Sequence, residues 1–217
     1  MAFGHTLIVG GREGYSVIRL ATGIAALTLA AGAAFAQAPA APSVVRGVVT
    51  AMDASSITVK PAKGAVQKVG LTPNWSVAVM KPVTMDAIKP GSFIGTAEVP
   101  GKDGTGKSLE VHVFPPGVKM GEGHYGWDLK KGSMMTNGTV GTVVAGKKGS
   151  RQMEVSYSYG KRMITVPANV PIVQIAGGTR AQVKPGIPVF MVVQKTAAGQ
   201  LMAGSVSIGE NGAKPAM

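Results

Sequence analysis

The chain has no cysteine, few aromatic residues (5%) and no apolar run long enough to cross a membrane as a helix. The absence of cysteine excludes disulfides, thiolate zinc sites, thiol catalysis and attachment as a lipoprotein. The one apolar run, from Ala21 to Phe35, falls short of the roughly 20 residues that a spanning helix needs. Beyond that run, no segment keeps a helical period over a dozen residues, which excludes a helical bundle.

The apolar run has the surroundings of a secretory signal. Arg12 and Arg19 precede it, and Ala34-Phe35-Ala36 gives the small-x-small pattern at which such signals are cleaved. We therefore expect a cleaved signal peptide over residues 1–36 and a flexible mature N-terminus over residues 37–43. The mature chain would then be periplasmic or secreted and would keep no transmembrane span.

Acidic residues are also scarce. The chain has 22 lysines and arginines against 10 acidic residues, and the mature part has 20 against 9, a surplus of about 11 positive charges. An exported basic protein is out of reach of most nucleic acid, so we expect an envelope protein or an anionic envelope polymer as the partner and no nucleic acid. Because no basic block exceeds two residues, lysines that only confer solubility stay an alternative.

The sequence contains an internal repeat. The segment from Asn74 to Gly91 matches the segment from Asn169 to Gly186 at a constant offset of 95 residues, and both segments end in Lys-Pro-Gly. Farther upstream, Arg46-Gly47-Val48-Val49 is similar to Val140-Gly141-Thr142-Val143 at an offset of 94. Two copies of one domain explain both similarities.

Each copy reads as five or six short strands, with β-branched residues at alternate positions and turn residues between the strands. Residues 84–88 and 179–183 are expected to form one helical turn each before Lys-Pro-Gly, whose glycine accepts the positive φ of a type II turn. A small sheet of this kind removes its exposed edges by closing into a barrel.

A family resemblance rests on the order Val-x-Gly-x-Val, Ile-Thr-Val and Thr-x-x-x-Ile-Lys-Pro-Gly. In this order the chain resembles the bacterial exported β-barrel domains of unknown function that have an OB-like fold, over residues 44–113 and 138–208. The resemblance implies an envelope location and a binding or structural role, and it supplies no functional residues. We predict an all-β protein with two tandem small OB-like β-barrels, residues 44–113 and 138–209, joined by an inter-domain segment, residues 114–137, and followed by a C-terminal tail, residues 210–217.

The inter-domain segment concentrates the rare residue types, and two hypotheses assign it a function. As a contact surface for the envelope partner it would use Lys119, His124, Tyr125, Trp127, Lys130 and Lys131. As a copper site, the alternative, it would use the imidazole and thioether donors of His112, Met120, His124, Met134 and Met135. A third expectation is that its aromatic and methionine side chains only pack between the two barrels.

Catalytic patterns are scarce. No Gly-x-Ser-x-Gly elbow occurs, and a serine triad would have to recruit His112 or His124. Ser158 and Lys161 have the spacing of a serine–lysine pair but fall at a hairpin tip, where no helix can present them. We therefore expect a non-enzymatic binding or structural module without a cofactor, copper being the alternative.

Overall fold

The computed structural model describes residues 42–101 and 103–215. The predicted signal peptide, most of the predicted flexible N-terminus and the end of the predicted tail lie outside these residues. Among the described residues, no helix is both long enough and apolar enough to cross a membrane.

The chain is mostly β-strand, as predicted, and three single 3₁₀ turns are the helical elements of the described part. The strands are β1 (Ser43–Met52), β2 (Ser56–Lys60), β3 (Gln67–Pro82), β4 (Phe93–Pro100), β5 (Gly106–Val113), β6 (Gly123–Gly126), β7 (Met134–Ala145), β8 (Arg151–Tyr157), β9 (Gly160–Val166), β10 (Ile172–Gly177), β11 (Pro188–Lys195) and β12 (Leu201–Gly209). The 3₁₀ turns are Met85–Ala87, Lys147–Gly149 and Arg180–Gln182.

The two helical turns predicted before Lys-Pro-Gly are confirmed, since 3₁₀ turns occupy residues 85–87 and 180–182. The glycines that follow have the expected positive φ, +83° at Gly91 and +91° at Gly186. Strand β3 is longer than the short strands predicted, and β6 lies within the predicted inter-domain segment.

The strands close two rings of five. The first ring runs β1–β2–β3–β12–β11 and returns to β1, and the second runs β7–β8–β9–β5–β4 and returns to β7. Neighbouring strands are antiparallel except β3 with β12 and β5 with β9, which are parallel. Strand β10 joins the rings by pairing with β3 on one side and β5 on the other.

The strands are not divided as the tandem prediction expects, because each ring combines both repeats. The first ring contains β1 to β3 from the first copy and β11 and β12 from the second. The second ring contains β4 and β5 from the first copy and β7 to β9 from the second. Strands β6 and β10 lie outside both rings. Each copy therefore contributes strands to both rings, an exchange of strands between the copies. Met80 of β3 pairs with Ile175 of β10, its own counterpart 95 residues later, so the exchange is symmetrical about this pair. Strand β3 has 16 residues, about 50 Å at 3.3 Å per residue, and it carries the chain from the first ring to the second, where β4 begins.

The repeat offset of the first strand also differs from the prediction. A Cβ on Gly47 would overlap the Lys60 carbonyl beside the Val59 side chain, and one on Gly138 would overlap the Ser156 carbonyl beside Val155. These glycines are therefore counterparts, and they lie 91 residues apart rather than 94. Register is fixed here by the need for glycine where one strand crosses closely over the next.

Each ring encloses its own apolar core. The first core includes Ile57, Val69 and Val206, and the second includes Ile94, Met153 and Ile164, all fully buried. The period-two alternation of each strand places these side chains inside a ring. Burial of this kind, without disulfides, holds the rings together.

Candidate functional site

The inter-domain segment is folded and binds the two rings to each other. Tyr125 of β6 pairs with Met135 of β7, and both side chains are buried in a cluster with Ala97 of β4. Trp127 packs against Phe190 of the first ring, and the guanidinium of Arg46 lies 5.5 Å from its ring centroid. This agrees with the expectation that the aromatic residues of the segment pack between the barrels.

The six residues predicted as a contact surface fall into two groups. Lys119, Lys130 and Lys131 are exposed, whereas Tyr125 is buried and Trp127 and His124 are partly covered. Acidic residues lie between Lys119 and Lys130 in sequence, since Glu122 and Asp128 are exposed in the same segment. An extended contact could use the lysines alone, because the aromatic rings already have partners within the protein.

The five residues predicted to bind copper are not gathered at one point. Strands β4 and β7 lie between His112 of β5 and His124 of β6. Met120 is 59% exposed, while Met135 is buried beside Tyr125. In the described part of the chain, no three histidine or acidic side chains are arranged to hold a metal ion. The copper hypothesis stays a prediction.

A buried ionic network, which the sequence analysis did not identify, lies in the second ring. Glu98 of β4 is fully buried and pairs through Oε1 with Arg162 Nε of β9, and Thr136 Oγ1 donates to the same oxygen at 3.3 Å. Nδ1 of His124 lies 2.8 Å from Thr136 Oγ1, and the imidazole stacks on Tyr157. Burial raises the pKa of Glu98, which Arg162 opposes, and burial and Arg162 lower the pKa of His124.

This network links four strands, and its carboxylate, Glu98, is closed to solvent, while the side chains of Arg162 and His124 are 18% and 22% exposed. A Cβ at Gly106 would overlap the Glu98 carboxylate, so β5 approaches β4 closely enough only with glycine there. Because Glu98 has no exposed surface, it can meet a substrate only if the second ring opens. The arrangement fits a structural role better than catalysis. The signal in the sequence was Glu98 as the one ionisable residue of β4.

A second buried pair, Glu110 and His112 of β5, borders a cavity of about 570 Å³. The two side chains are 7% and 2% exposed. Burial raises the pKa of Glu110 to about 7, with Arg46 opposing it, and lowers that of His112 to about 3. The imidazole is therefore neutral at physiological pH.

A group of exposed lysines lies at one end of the first ring, called here the basic end. It comprises Lys60 at the end of β2, Lys63 in the following turn, Lys68 of β3 and Lys195 at the end of β11, all exposed. The pairing of β2 with β3, and of β12 with both β3 and β11, brings these lysines to one end of the ring. No acidic residue occurs between Asp53 and Asp86 or between Glu154 and Glu210, so none of these lysines has an acidic neighbour in its own segment.

Comparisons of the chain with protein families, with curated proteins and with solved structures found no match.

Proposed function

We propose that this protein is a non-enzymatic binding module of the bacterial envelope that recognises an acidic polysaccharide through the basic end of the first ring. The observation that carries the proposal is the group of four exposed lysines without an acidic neighbour in sequence. Elsewhere the basic residues are partly neutralised, as in the pairs Arg46–Asp128 and Lys81–Glu210. None of the four lysines forms an ion pair within the described residues, so their field extends into solvent.

The type of basic residue favours a polymer over a single small anion. All four side chains are lysines, which act as mobile point charges, while planar bidentate recognition of one carboxylate or phosphate favours arginine. The lysines lie on three strands and one connection, a spacing suited to repeated charges along a chain. A protein partner with an acidic surface is the alternative, which the absence of polygalacturonate binding in the test below would favour.

The order of strands in the rings supports the finer fold assignment. We propose that each ring is an OB-like barrel, formed by exchange between the two repeats and not by each repeat alone. Barrels of this class bind oligonucleotides and oligosaccharides on the face of their second and third strands and on the loops between the first and second and between the fourth and fifth strands. In the first ring the four lysines lie on β2, on β3, in the β2–β3 connection and at the end of β11 beside the β11–β12 loop, whereas the β1–β2 loop carries Asp53.

The location follows from the N-terminal pattern. A cleaved signal peptide over residues 1–36 would deliver residues 37–217 to the periplasm or beyond, where acidic polysaccharides are abundant and nucleic acid is scarce. Because β1 begins at Ser43 and pairs there with Val193, the mature N-terminus would emerge near the basic end.

The experiment is calorimetric titration of residues 37–217 with sodium polygalacturonate, with neutral dextran as the control polymer. At about 0.5 kcal/mol for each exposed charge contact, changing four lysines to glutamine should cost about 2 kcal/mol, or about 30-fold in affinity. The binding variant changes Lys60, Lys63, Lys68 and Lys195. The matched control removes the same charge elsewhere by changing Lys89, Lys107, Lys147 and Lys184.

We expect the control variant to keep the parent's affinity within about threefold and the binding variant to lose most of it. Parent binding should also weaken with added salt, because the contact is between exposed charges. Equal losses in the two variants would show that only net charge matters, and binding of dextran as strong as that of polygalacturonate would contradict the proposal.

A further inference from the structure

The cavity beside Glu110 and His112 lies apart from the basic end. It is bordered by the end of β3, by β5, by the start of β10 and by residues 211–214. Most of its lining is apolar, including Pro82, Val111 and Ile172. Its volume, about 570 Å³, is in the range of sites for small organic ligands, which combine apolar walls with a few converging polar groups.

The polar pair has unmet hydrogen-bonding capacity. His112 Nε2 lies 3.6 Å from Glu110 Oε1, too far for a hydrogen bond. Within the described residues, neither Glu110 Oε1 nor His112 Nδ1 has a hydrogen-bond partner. Two such buried atoms are costly, so a ligand that satisfies them recovers free energy on binding.

The internal repeat supplies a comparison. Val111 pairs with Ile172, and 95 residues along the repeat Val206 pairs in the same way with Val77. The counterparts of Glu110 and His112 are therefore Ser205 and Ser207. Two small hydroxyl side chains occupy these positions in the other copy, so the packing of the fold does not require an ionisable pair. Ionisable pairs next to a cavity are typical of functional sites.

The chemistry of the pair defines the ligand. With the imidazole neutral and its Nε2 facing the carboxylate, the proton belongs on Nε2, which leaves Nδ1 as an acceptor. Both unmet atoms then accept hydrogen bonds, and one belongs to a carboxylate. We propose that the cavity binds a small organic cation, a primary amine on an apolar body, whose ammonium donates to Glu110 and His112.

Two other charges act on this pair. Arg46 of β1 influences Glu110 electrostatically, and Lys214 lies at the exposed rim of the cavity. Arg46 lowers the pKa of Glu110 and so favours its ionised form, while the ammonium of Lys214 should repel the ligand. A Lys214→Ala variant is therefore expected to bind the amine about twofold to threefold more tightly.

The experiment follows amide shifts in NMR spectra of residues 37–217 during titration with methylamine, benzylamine and cyclohexylmethylamine. Benzyl alcohol is the neutral counterpart of benzylamine. We expect benzylamine to bind at least about tenfold more tightly than the alcohol at pH 8, since a charged hydrogen bond contributes more than a neutral one. Burial raises the pKa of Glu110 to about 7, so this advantage should shrink about tenfold at pH 6 as the carboxylate takes up a proton.

Three variants locate the binding. Glu110→Gln should lose the preference for the amine, and Glu154→Gln, the same change at a distant site, should keep it. The double variant Glu110→Ser, His112→Ser copies the counterpart positions, so it should stay folded and lose the amine. The proposal is overturned if benzyl alcohol binds as well as benzylamine, if Glu110→Gln keeps the preference, or if no amine shifts the spectrum at about 10 mM. None of these variants touches the four lysines of the basic end, so polygalacturonate binding should not change.

Discussion

Replacing Glu110 with glutamine should change how stability depends on pH. Burial raises the pKa of Glu110 from an ordinary value of 4.5 to about 7. Because the pKa is raised in the folded state, Glu110 contributes to the free energy of unfolding. This contribution is fully present below pH 4.5 and is lost as the pH rises through about 7. At 1.36 kcal/mol per pKa unit, the loss amounts to about 3 kcal/mol, and because Glu110 is almost fully buried no solvent discount applies.

Glutamine has the same shape and no ionisation. At pH 4 the variant should therefore match the parent within about 1 kcal/mol, and at pH 8 it should be more stable by about 3 kcal/mol. His112 contributes equally to both proteins, so the difference between them isolates Glu110. The assay is urea unfolding followed by the fluorescence of Trp75 and Trp127 at pH values from 4 to 8.

Glu154→Gln serves as the control, because this partly exposed carboxylate pairs with Lys161 at the surface. Its difference from the parent should stay within about 0.5 kcal/mol over the same range. Two results would refute the account of Glu110 as a buried carboxylate. One is a difference in the free energy of unfolding between Glu110→Gln and the parent that does not change with pH. The other is a difference that increasingly favours the parent as the pH rises.

Three further predictions concern the second ring and the exchange of strands. Arg162→Met should lower the free energy of unfolding by about 3–5 kcal/mol at pH 8, because it leaves the Glu98 carboxylate buried without its cation. The loss should become smaller on acidification, and a loss that stays constant to pH 4 in urea unfolding would contradict this. Gly106→Ala should destabilise the protein by more than about 3 kcal/mol because its Cβ overlaps Glu98, while Gly126→Ala, which meets open space, should stay within about 1 kcal/mol; equal thermal shifts would count against the packing described. Residues 37–133 alone lack β11 and β12, so their amide spectrum should be that of an unfolded or self-associated chain, and a dispersed monomeric spectrum would contradict the exchange.

The sequence predicted local structure well because strand alternation and turn chemistry are local properties. The Lys-Pro-Gly turns at Gly91 and Gly186 follow from the backbone freedom of glycine, and the buried positions of β2 and β8 follow from period-two alternation. These signals state where a strand lies and which face it buries.

The exchange between rings could not be predicted in the same way. Strands β4 and β11 are counterparts in the repeat, so either could close either ring on pattern alone. The length of β3 decides the outcome, and it was missed because Thr72, Pro73 and Asn74 indicate a turn where the structure continues as a strand.

The candidate sites were partly visible in the sequence. The scarcity of acidic residues predicted an anionic partner. The basic end, however, depends on strand pairing that brings Lys195 to the same end of the ring as Lys60. Glu98 and Arg162 are separated by 64 residues, and no local pattern joins them. Glu110 and His112 are two residues apart in one strand, yet their importance depends on the cavity, which forms only when β3, β10 and the C-terminal segment meet.

The most direct test of the central claim is to map polygalacturonate binding by amide chemical shifts in residues 37–217. The account predicts that the shifts concentrate at residues 58–69 and 194–201, which carry the four lysines of the basic end. Shifts centred on residues 119–131 would instead assign binding to the inter-domain segment, and shifts spread over the whole surface would show a non-specific charge effect. Either result would contradict the assignment of the binding site to the first ring.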